Sequence, residues 1–238
     1  MKQRSHNWQK DMQNYHSPSI IKIEGMLPYL LDSKFKEYFL GKDIIDLGCG
    51  PGHIAKIICE KYEVNSYTGI DYSESFINFA KTTINSTLVK CQFIQKDIRN
   101  LNQINGNYDT VLCLNVLPIF NLEEDINLIF NTIKKSLKPF GRLILMTTYD
   151  SCILSKECNE NFQVTLSDAT SEPITYKLKV KNIDGNFFEF TDNCWSVKFL
   201  ENKFKEFRLK IIEVNKIGNT QSFSNTYPFI SFVLAKEE

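Results

Sequence analysis

Short apolar runs alternate with amphipathic segments along most of the chain. Runs at 44–47, 66–71, 91–95, 108–115 and 142–146 have the length and composition of buried strands. The segments 53–62, 73–81 and 123–137 between them carry apolar residues at helical spacing. Strands that alternate with helices predict an α/β fold built on a parallel sheet.

The last third of the chain adds a different pattern. Residues 174–181 alternate strictly, with Tyr176, Leu178 and Val180 on one face and lysines on the other. Asp184-Gly185 is a hairpin signal, and 187–190 is apolar enough to be the partner strand. A helix at 198–207 and strands at 209–214 and 229–236 follow. We therefore expect an antiparallel β layer, inserted at 150–196, before the last helix and strands.

The first 40 residues precede the strand pattern. Residues 1–19 are polar, a first helix is expected through 20–24, and a second helix is expected over 27–39 with Gly41 as its stop. The expected organisation is an N-terminal helical arm or lid at 1–40 and a main domain at 41–238.

A glycine loop follows the first strand. It reads Asp46-x-Gly48-x-Gly50-x-Gly52 and precedes the first helix. Glycines let the chain turn sharply and let a ligand approach the backbone, next to unpaired N–H groups of the helix N-terminus. The dinucleotide pattern needs glycine or alanine where His53 stands, and the phosphate-loop pattern is absent.

Polar residues recur where the next strands end. Asp71 ends the second strand about two dozen residues after the loop, at the place where an acid accepts hydrogen bonds from ribose hydroxyls in doubly wound folds. The alternative is that Asp71 caps the following helix, in competition with Ser73. Asp97 follows the third strand and by itself is an ordinary turn residue, and Asn115 ends the fourth strand.

Taken in order, these features resemble the class I S-adenosylmethionine-dependent methyltransferases, most closely the bacterial small-molecule enzymes. The Tyr108-Asp109 entry to the fourth strand and the 137–143 turn before the fifth also match. The resemblance covers about 40–149 and 197–236. It implies a doubly wound, Rossmann-like sheet of seven mostly parallel strands, with the last strand antiparallel, and S-adenosylmethionine as cofactor.

The resemblance also assigns roles to individual residues. Asp71 is expected to bind the ribose, Asp97 the adenine amino group, and Asn115 the methionine amine or the acceptor. Tyr72 is expected to pack on the adenine. The full set of expected cofactor residues is Tyr15, Asp46, Gly48, Cys49, Gly50, Gly52, Asp71, Tyr72, Asp97, Ile98, Leu114 and Asn115.

The composition of the chain limits the kinds of partner that we expect. The chain has 28 basic and 28 acidic residues and only four arginines, which disfavours a broad nucleic-acid-binding field. Seven scattered cysteines without C-x-x-C spacing favour reduced thiols in the cytoplasm and no bound metal. Neither a secretory h-region nor a membrane-length apolar run is present. We expect a monomer or homodimer acting on a small molecule, away from membranes.

The acceptor side is the least determined part. The 150–196 insertion is expected to roof the acceptor pocket, with Phe187, Phe188, Phe190 and Trp195 as an aromatic wall; the alternative is a cover for the sheet edge or a dimer contact. His16, beside Tyr15 on the N-terminal lid, is the candidate for a general base. No base is needed if the acceptor is a neutral amine.

Other functions remain open. The segment 115–120 lacks the adjacent prolines of [DN]-P-P-[FY], which lowers the case for nucleobase-amine and glutamine acceptors. The alternatives are an RNA or protein methyltransferase and a non-catalytic S-adenosylmethionine-binding protein. A dehydrogenase is opposed by His53.

Overall fold

The computed structural model of the chain describes residues 29–30, 32–83, 90–101, 107–150, 153, 162–181, 187–217 and 229–237. The strands are β1 Asp43–Leu47, β2 Ser66–Asp71, β3 Lys90–Gln95, β4 Tyr108–Leu114, β5 Leu137–Thr148, β6 Phe162–Leu166, β7 Ile174–Lys181, β8 Phe187–Cys194, β9 Leu209–Ile217 and β10 Phe229–Lys236. The helices are α1 Lys36–Phe39, α2 His53–Lys61, α3 Glu74–Thr83, α4 Glu123–Ser136 and α5 Val197–Glu206.

Seven strands form the central sheet in the order β3-β2-β1-β4-β5-β10-β9. Strands β1 to β5 run parallel, and β10 runs antiparallel between β5 and β9. This confirms the predicted doubly wound sheet with an antiparallel last strand. The strand order reverses at β1 and β4, so their carboxyl ends flank the crevice where ligands bind in open α/β sheets.

Helices cover both faces of the sheet. On one face, Ile54 and Ile58 of α2 pack in the same cluster as Ile44, and on the other face Phe130 of α4 packs in the cluster that holds Ile45. Helix α4 carries three acidic residues in its first turn and two lysines in its last, which complements the helix dipole. The amphipathic segments therefore form helices that pack on the sheet, as predicted.

The expected helix over 27–39 is wrong in one respect. Asp32 has extended backbone angles, and its side chain accepts a hydrogen bond from the Lys34 N–H (3.1 Å). This cap starts a 3₁₀ turn at Ser33–Phe35, which leads into the single turn of α1. Gly41 does end the segment, with φ +67°. The helix expected at 20–24 lies outside the described residues.

The inserted segment forms a three-stranded antiparallel sheet in the order β6-β7-β8. The predicted pairing of β7 with β8 is confirmed, the Asp184-Gly185 turn lies outside the described residues, and β6 was not predicted. Val164, Ile174 and Tyr176 pack in the same cluster as Leu114 and Met146, near the carboxyl ends of β4 and β5.

Trp195 departs from its expected role. Its indole is 2% exposed, stacks on Phe199 with ring centroids 4.4 Å apart, and donates to the Phe120 carbonyl (3.1 Å). An indole N–H needs an acceptor when it is buried, and this carbonyl supplies one. Trp195 is therefore a core residue and does not form the wall of an open pocket.

None of the helices in the described part of the chain is long and apolar enough to span a membrane.

Candidate cofactor and acceptor site

The glycine loop turns back over strand β2. The N–H groups of Gly48 and Cys49 both donate to the Ile70 carbonyl, at 2.7 and 3.0 Å. Gly48 has φ +81°, and a Cβ placed on it would lie 2.5 Å from Cγ2 of Val116. Left-handed backbone and close packing together require glycine at this position.

Gly50 differs from Gly48 in its surroundings. It has φ +54°, but a Cβ placed on it would meet no atom within 4 Å. Gly52, with φ +83°, forms the N-terminal cap of α2 without a side-chain hydrogen bond. The space in front of Gly50 is therefore open for a ligand that lies against the backbone.

Asp71 ties the loop to the end of β2. Its carboxylate accepts from the Gly50 N–H (2.9 Å) and from the Ser73 N–H (2.8 Å). Ser73 caps α3 with its own hydroxyl, which accepts from the Phe76 N–H (3.3 Å). Burial raises the pKa of Asp71, against the lowering effect of these backbone donors. Asp71 thus holds the loop, and its oxygens retain lone pairs for further donors.

Asp46 lies beneath the loop. It is 2% exposed and accepts from the Tyr67 hydroxyl at 2.5 Å. Burial raises the pKa of Asp46 to about 7, with the hydrogen bond from Tyr67 acting in the opposite direction. The acid of the motif therefore supports the loop from inside the core.

The raised pKa of Asp46 predicts a stability change with pH. The folded-state pKa exceeds the unfolded value of about 3.9, so the folded protein holds the proton more strongly than the unfolded chain. Protonated Asp46 therefore stabilises the fold, and this contribution is lost as the pH rises toward and through 7. We expect the Asp46 contribution to the free energy of unfolding to fall by about 3 kcal/mol between pH 5 and pH 8, nearly all of it below pH 7. Urea denaturation of the wild type and of Asp46→Asn measures it.

In Asp46→Asn this part of the pH dependence should disappear, whereas the exposed-acid control Asp168→Asn should keep it. The same pH dependence in wild type and Asp46→Asn would contradict the protonation of Asp46.

Asp97 is held by Arg99. The guanidinium binds both carboxylate oxygens, with Nε–Oδ1 at 3.0 Å and Nη2–Oδ2 at 2.6 Å, and its Nη1 reaches Asp125 of α4 at 2.8 Å. Burial by itself raises the pKa of Asp97, but the hydrogen bonds from Arg99 outweigh it and lower the pKa. The carboxylate is ionised and fixed in orientation at the end of β3.

Asn115 carries an unpaired polar atom. It follows β4 with φ +56°, and its N–H donates to the Met146 carbonyl at the end of β5 (2.7 Å). Its Oδ1 is buried and has no hydrogen-bond partner. Leaving such an atom unpaired costs about 1–3 kcal/mol, so a ligand with a hydrogen-bond donor would stabilise it.

The structure brings most of the predicted cofactor residues to one edge of the sheet. Tyr72 is 51% exposed just beyond β2, whereas Cys49, Ile98 and Leu114 are buried beneath the edge. Because β1 to β4 run parallel, Gly50, Asp71, Asp97 and Asn115 lie at or just after the carboxyl ends of adjacent strands. Tyr15 and His16 lie outside the described residues.

Three further residues that could act as a general base, His53, Tyr149 and Asp150, make structural contacts. Asp150 accepts from the Val197 N–H at the start of α5 (3.1 Å), and Lys216 lies 5.0 Å from the centre of the Tyr149 ring. His53 packs against Phe79 with ring centroids 6.0 Å apart. Within the described residues, no group of three metal-ligating side chains is arranged to hold an ion.

Sequence reasoning missed three supporting residues: Tyr67, Arg99 and Val116. A tyrosine within a buried parallel strand signals a hidden partner for its hydroxyl, and here the partner is Asp46. Arg99 stands two residues after Asp97, close enough to fold back on it. The sequence carries no signal for the contact between Val116 and Gly48.

Comparison with known proteins agrees with this geometry. A family model described as a methyltransferase domain matches residues 40–208, from just before β1 to just before β9. The chain belongs to this methyltransferase domain family. The family, the fold and the cofactor S-adenosylmethionine, all predicted from the glycine loop and the strand-end acids, are therefore confirmed.

Two curated relatives illustrate the similarity, and each matches about half of this chain. The U6 snRNA methylphosphate capping enzyme Amus of Drosophila melanogaster is 29% identical over 127 residues, which are 46% of this chain and 42% of that protein. Malonyl-[acyl-carrier protein] O-methyltransferase of Priestia megaterium is 25% identical over 127 residues, 52% of this chain and 44% of that protein. The chain thus spans less than half the length of these curated relatives.

One solved structure matches along the whole length. The PH0226 protein of Pyrococcus horikoshii covers 100% of both chains with a TM-score of 0.67 at 19% identity. At this identity the match supports the fold alone.

The residues present fit S-adenosylmethionine. The open space at Gly50 leaves room for a ligand against the loop. Asp71 retains lone pairs that can accept from ribose hydroxyls. The unpaired Oδ1 of Asn115 can accept from a further donor. An adenosine with an amino-acid tail carries hydroxyls and an ammonium group that match these acceptors.

Proposed function

We propose that the chain transfers the methyl group of S-adenosylmethionine to a small-molecule acceptor. The observation that carries the proposal is the position of the β6-β7-β8 sheet, which packs beside the carboxyl ends of β4 and β5, where the acceptor would meet the methyl group. A sheet in this position would obstruct the approach of a macromolecule. A small acceptor could still bind beside it, because small molecules bind in concave sites.

Four residues would hold the cofactor. Asp71 would accept from the ribose hydroxyls, Asp97 from the adenine amino group, and Asn115 Oδ1 from the ammonium group of the methionine portion, while Gly50 leaves room for the backbone approach. When bound, the cofactor supplies an electrophilic methyl group on a sulfonium centre. The chain's own task is to position the partners and to exclude water.

The preset geometry of these residues serves that task. Arg99 fixes the Asp97 carboxylate, and the two backbone N–H groups fix Asp71, so neither acid must reorganise when a ligand arrives. The backbone of Asn115 is also held in place, since its N–H donates to the Met146 carbonyl of β5.

The domain organisation forms part of the proposal. Residues 1–40 would act as an arm or lid that closes the cofactor site, with His16 as the candidate for a general base. Residues 150–196 would cap the acceptor. The described cysteines are free thiols, three of them buried, which supports a reducing compartment such as the cytoplasm.

The relatives' names support a small acceptor only in part. The Priestia megaterium relative is named for a malonyl group on a carrier protein, and the Drosophila relative for U6 snRNA. The balanced charge of this chain disfavours RNA as the acceptor, because RNA binding relies on a positive field.

The test uses methyl-labelled S-adenosylmethionine and a cell extract separated into low-mass, RNA and protein fractions. We expect label in the low-mass fraction with the wild type and none with Asp71→Ala. Label transferred to RNA or protein instead would replace the small-molecule assignment, and no transfer to any fraction would support a non-catalytic binding protein.

A further inference from the structure

Three consecutive residues fasten the inserted sheet to the edge of the central sheet. Asn193 Nδ2 donates to the Pro118 carbonyl (3.0 Å), Cys194 Sγ to the Thr148 carbonyl (3.6 Å), and Trp195 Nε1 to the Phe120 carbonyl (3.1 Å). Two of these three carbonyls belong to the short turn that follows Asn115. The inserted sheet is thus bonded directly to the segment that carries an expected ligand-binding residue.

Asn193 is a buried residue whose side-chain amide is hydrogen-bonded at both ends. It is 1% exposed, and its Oδ1 accepts from the Thr175 hydroxyl of β7 (3.0 Å). With the amide oxygen held by Thr175, its NH₂ group points to Pro118. The side chain therefore joins two strands of the inserted sheet to the turn, with both ends of its amide paired.

The same turn also contacts Arg99, the residue that holds Asp97. The Arg99 guanidinium lies 5.4 Å from the centre of the Phe120 ring while it binds Asp97 and Asp125. The segment from Asn115 to Phe120 is therefore held between the residues that would bind adenine and the inserted sheet.

We propose that Asn193 is a positioning residue for the methyl-transfer site. By holding the Pro118 carbonyl, it fixes the turn after Asn115 and so the position of the unpaired Asn115 Oδ1. The inserted sheet then sets the geometry of cofactor binding in addition to covering the acceptor. This inference rests on the proposed function, since it assigns Asn115 to ligand binding.

The chain offers graded variants for the test. Asn193→Leu keeps the side-chain volume and removes both hydrogen bonds, whereas Thr175→Val removes only the hydroxyl that orients the amide. Lys177→Ala is the matched control on the same sheet, because Lys177 is exposed and pairs only with the exposed Glu189 in the described part of the chain.

The readouts are the affinity for S-adenosylhomocysteine by calorimetry and amide hydrogen exchange with that ligand bound. We expect Asn193→Leu to weaken binding about tenfold and to speed exchange at 116–120, with unchanged exchange in β1. Thr175→Val should show a smaller effect in the same direction, and Lys177→Ala none.

Wild-type affinity and wild-type exchange at 116–120 in Asn193→Leu would overturn the proposal. So would uniform loss of protection across the protein in both Asn193→Leu and Thr175→Val, because that result means general destabilisation. Absence of binding by the wild type would instead overturn the proposed function.

Discussion

Replacing Asp71 with alanine is expected to weaken the binding of S-adenosylhomocysteine about a hundredfold. The carboxylate fixes the glycine loop through the Gly50 N–H and is also the expected acceptor for the ribose hydroxyls. Hydrogen bonds to a charged group contribute about 1.5–3 kcal/mol each, and 1.4 kcal/mol corresponds to a tenfold change in affinity. Isothermal titration calorimetry measures the change directly.

The matched control is Glu74→Ala. Glu74 is an exposed carboxylate three residues further on, in the first turn of α3. The Glu74→Ala variant should bind S-adenosylhomocysteine with the affinity of the wild type. If Asp71→Ala bound within threefold of the wild type while remaining folded, Asp71 would be only a structural residue of the loop.

Gly48→Ala is expected to lower the free energy of unfolding by about 3 kcal/mol. An alanine in the left-handed region costs about 1–2 kcal/mol, and crowding a packed site costs about 1–3 kcal/mol. Both apply here, because Gly48 has φ +81° and its new Cβ would lie 2.5 Å from Val116 Cγ2. Urea denaturation measures the loss.

Two companion variants separate the causes. Adding Val116→Ala to Gly48→Ala should recover part of the loss, since it relieves the contact but not the backbone strain. Gly50→Ala, where a Cβ meets no atom within 4 Å, should cost only about 1 kcal/mol of stability. It should nevertheless weaken S-adenosylhomocysteine binding, because the methyl group fills the space left for the ligand. Equal stability losses at the two glycines would contradict this distinction.

The parts of the site that could be predicted are local in sequence. The glycine loop, Asp71 and Asp97 follow predicted strands, and in a parallel sheet strand ends meet at one edge. Knowing the strands was therefore enough to bring these residues together. Strand β10 was placed correctly only because the whole series resembled a known fold.

The parts that could not be predicted depend on contacts between distant segments. Asn193 and Pro118 are 75 residues apart, and so are Trp195 and Phe120. No spacing rule links such pairs. Trp195 was expected on a pocket wall because it is an aromatic residue of the insertion, but its N–H donates to the Phe120 carbonyl and its indole is buried. Strand β6 has an alternating Phe162, Val164 and Leu166 pattern that is too short to stand out.

The prediction of one helix over 27–39 was wrong for a physical reason that the structure shows at Asp32. Apolar spacing favoured one helix, but Asp32 competes for backbone N–H groups and breaks it. A capping residue inside an apolar pattern is therefore a reason to split a predicted helix.

The most direct test of the central claim is a calorimetric titration of the intact chain with S-adenosylhomocysteine, beside NADH and ATP. The account predicts saturable binding of S-adenosylhomocysteine and none of the other two, because the loop lacks both the dinucleotide and the phosphate-loop patterns. Binding of NADH or ATP without binding of S-adenosylhomocysteine would contradict the assignment of the glycine loop and the proposal built on it.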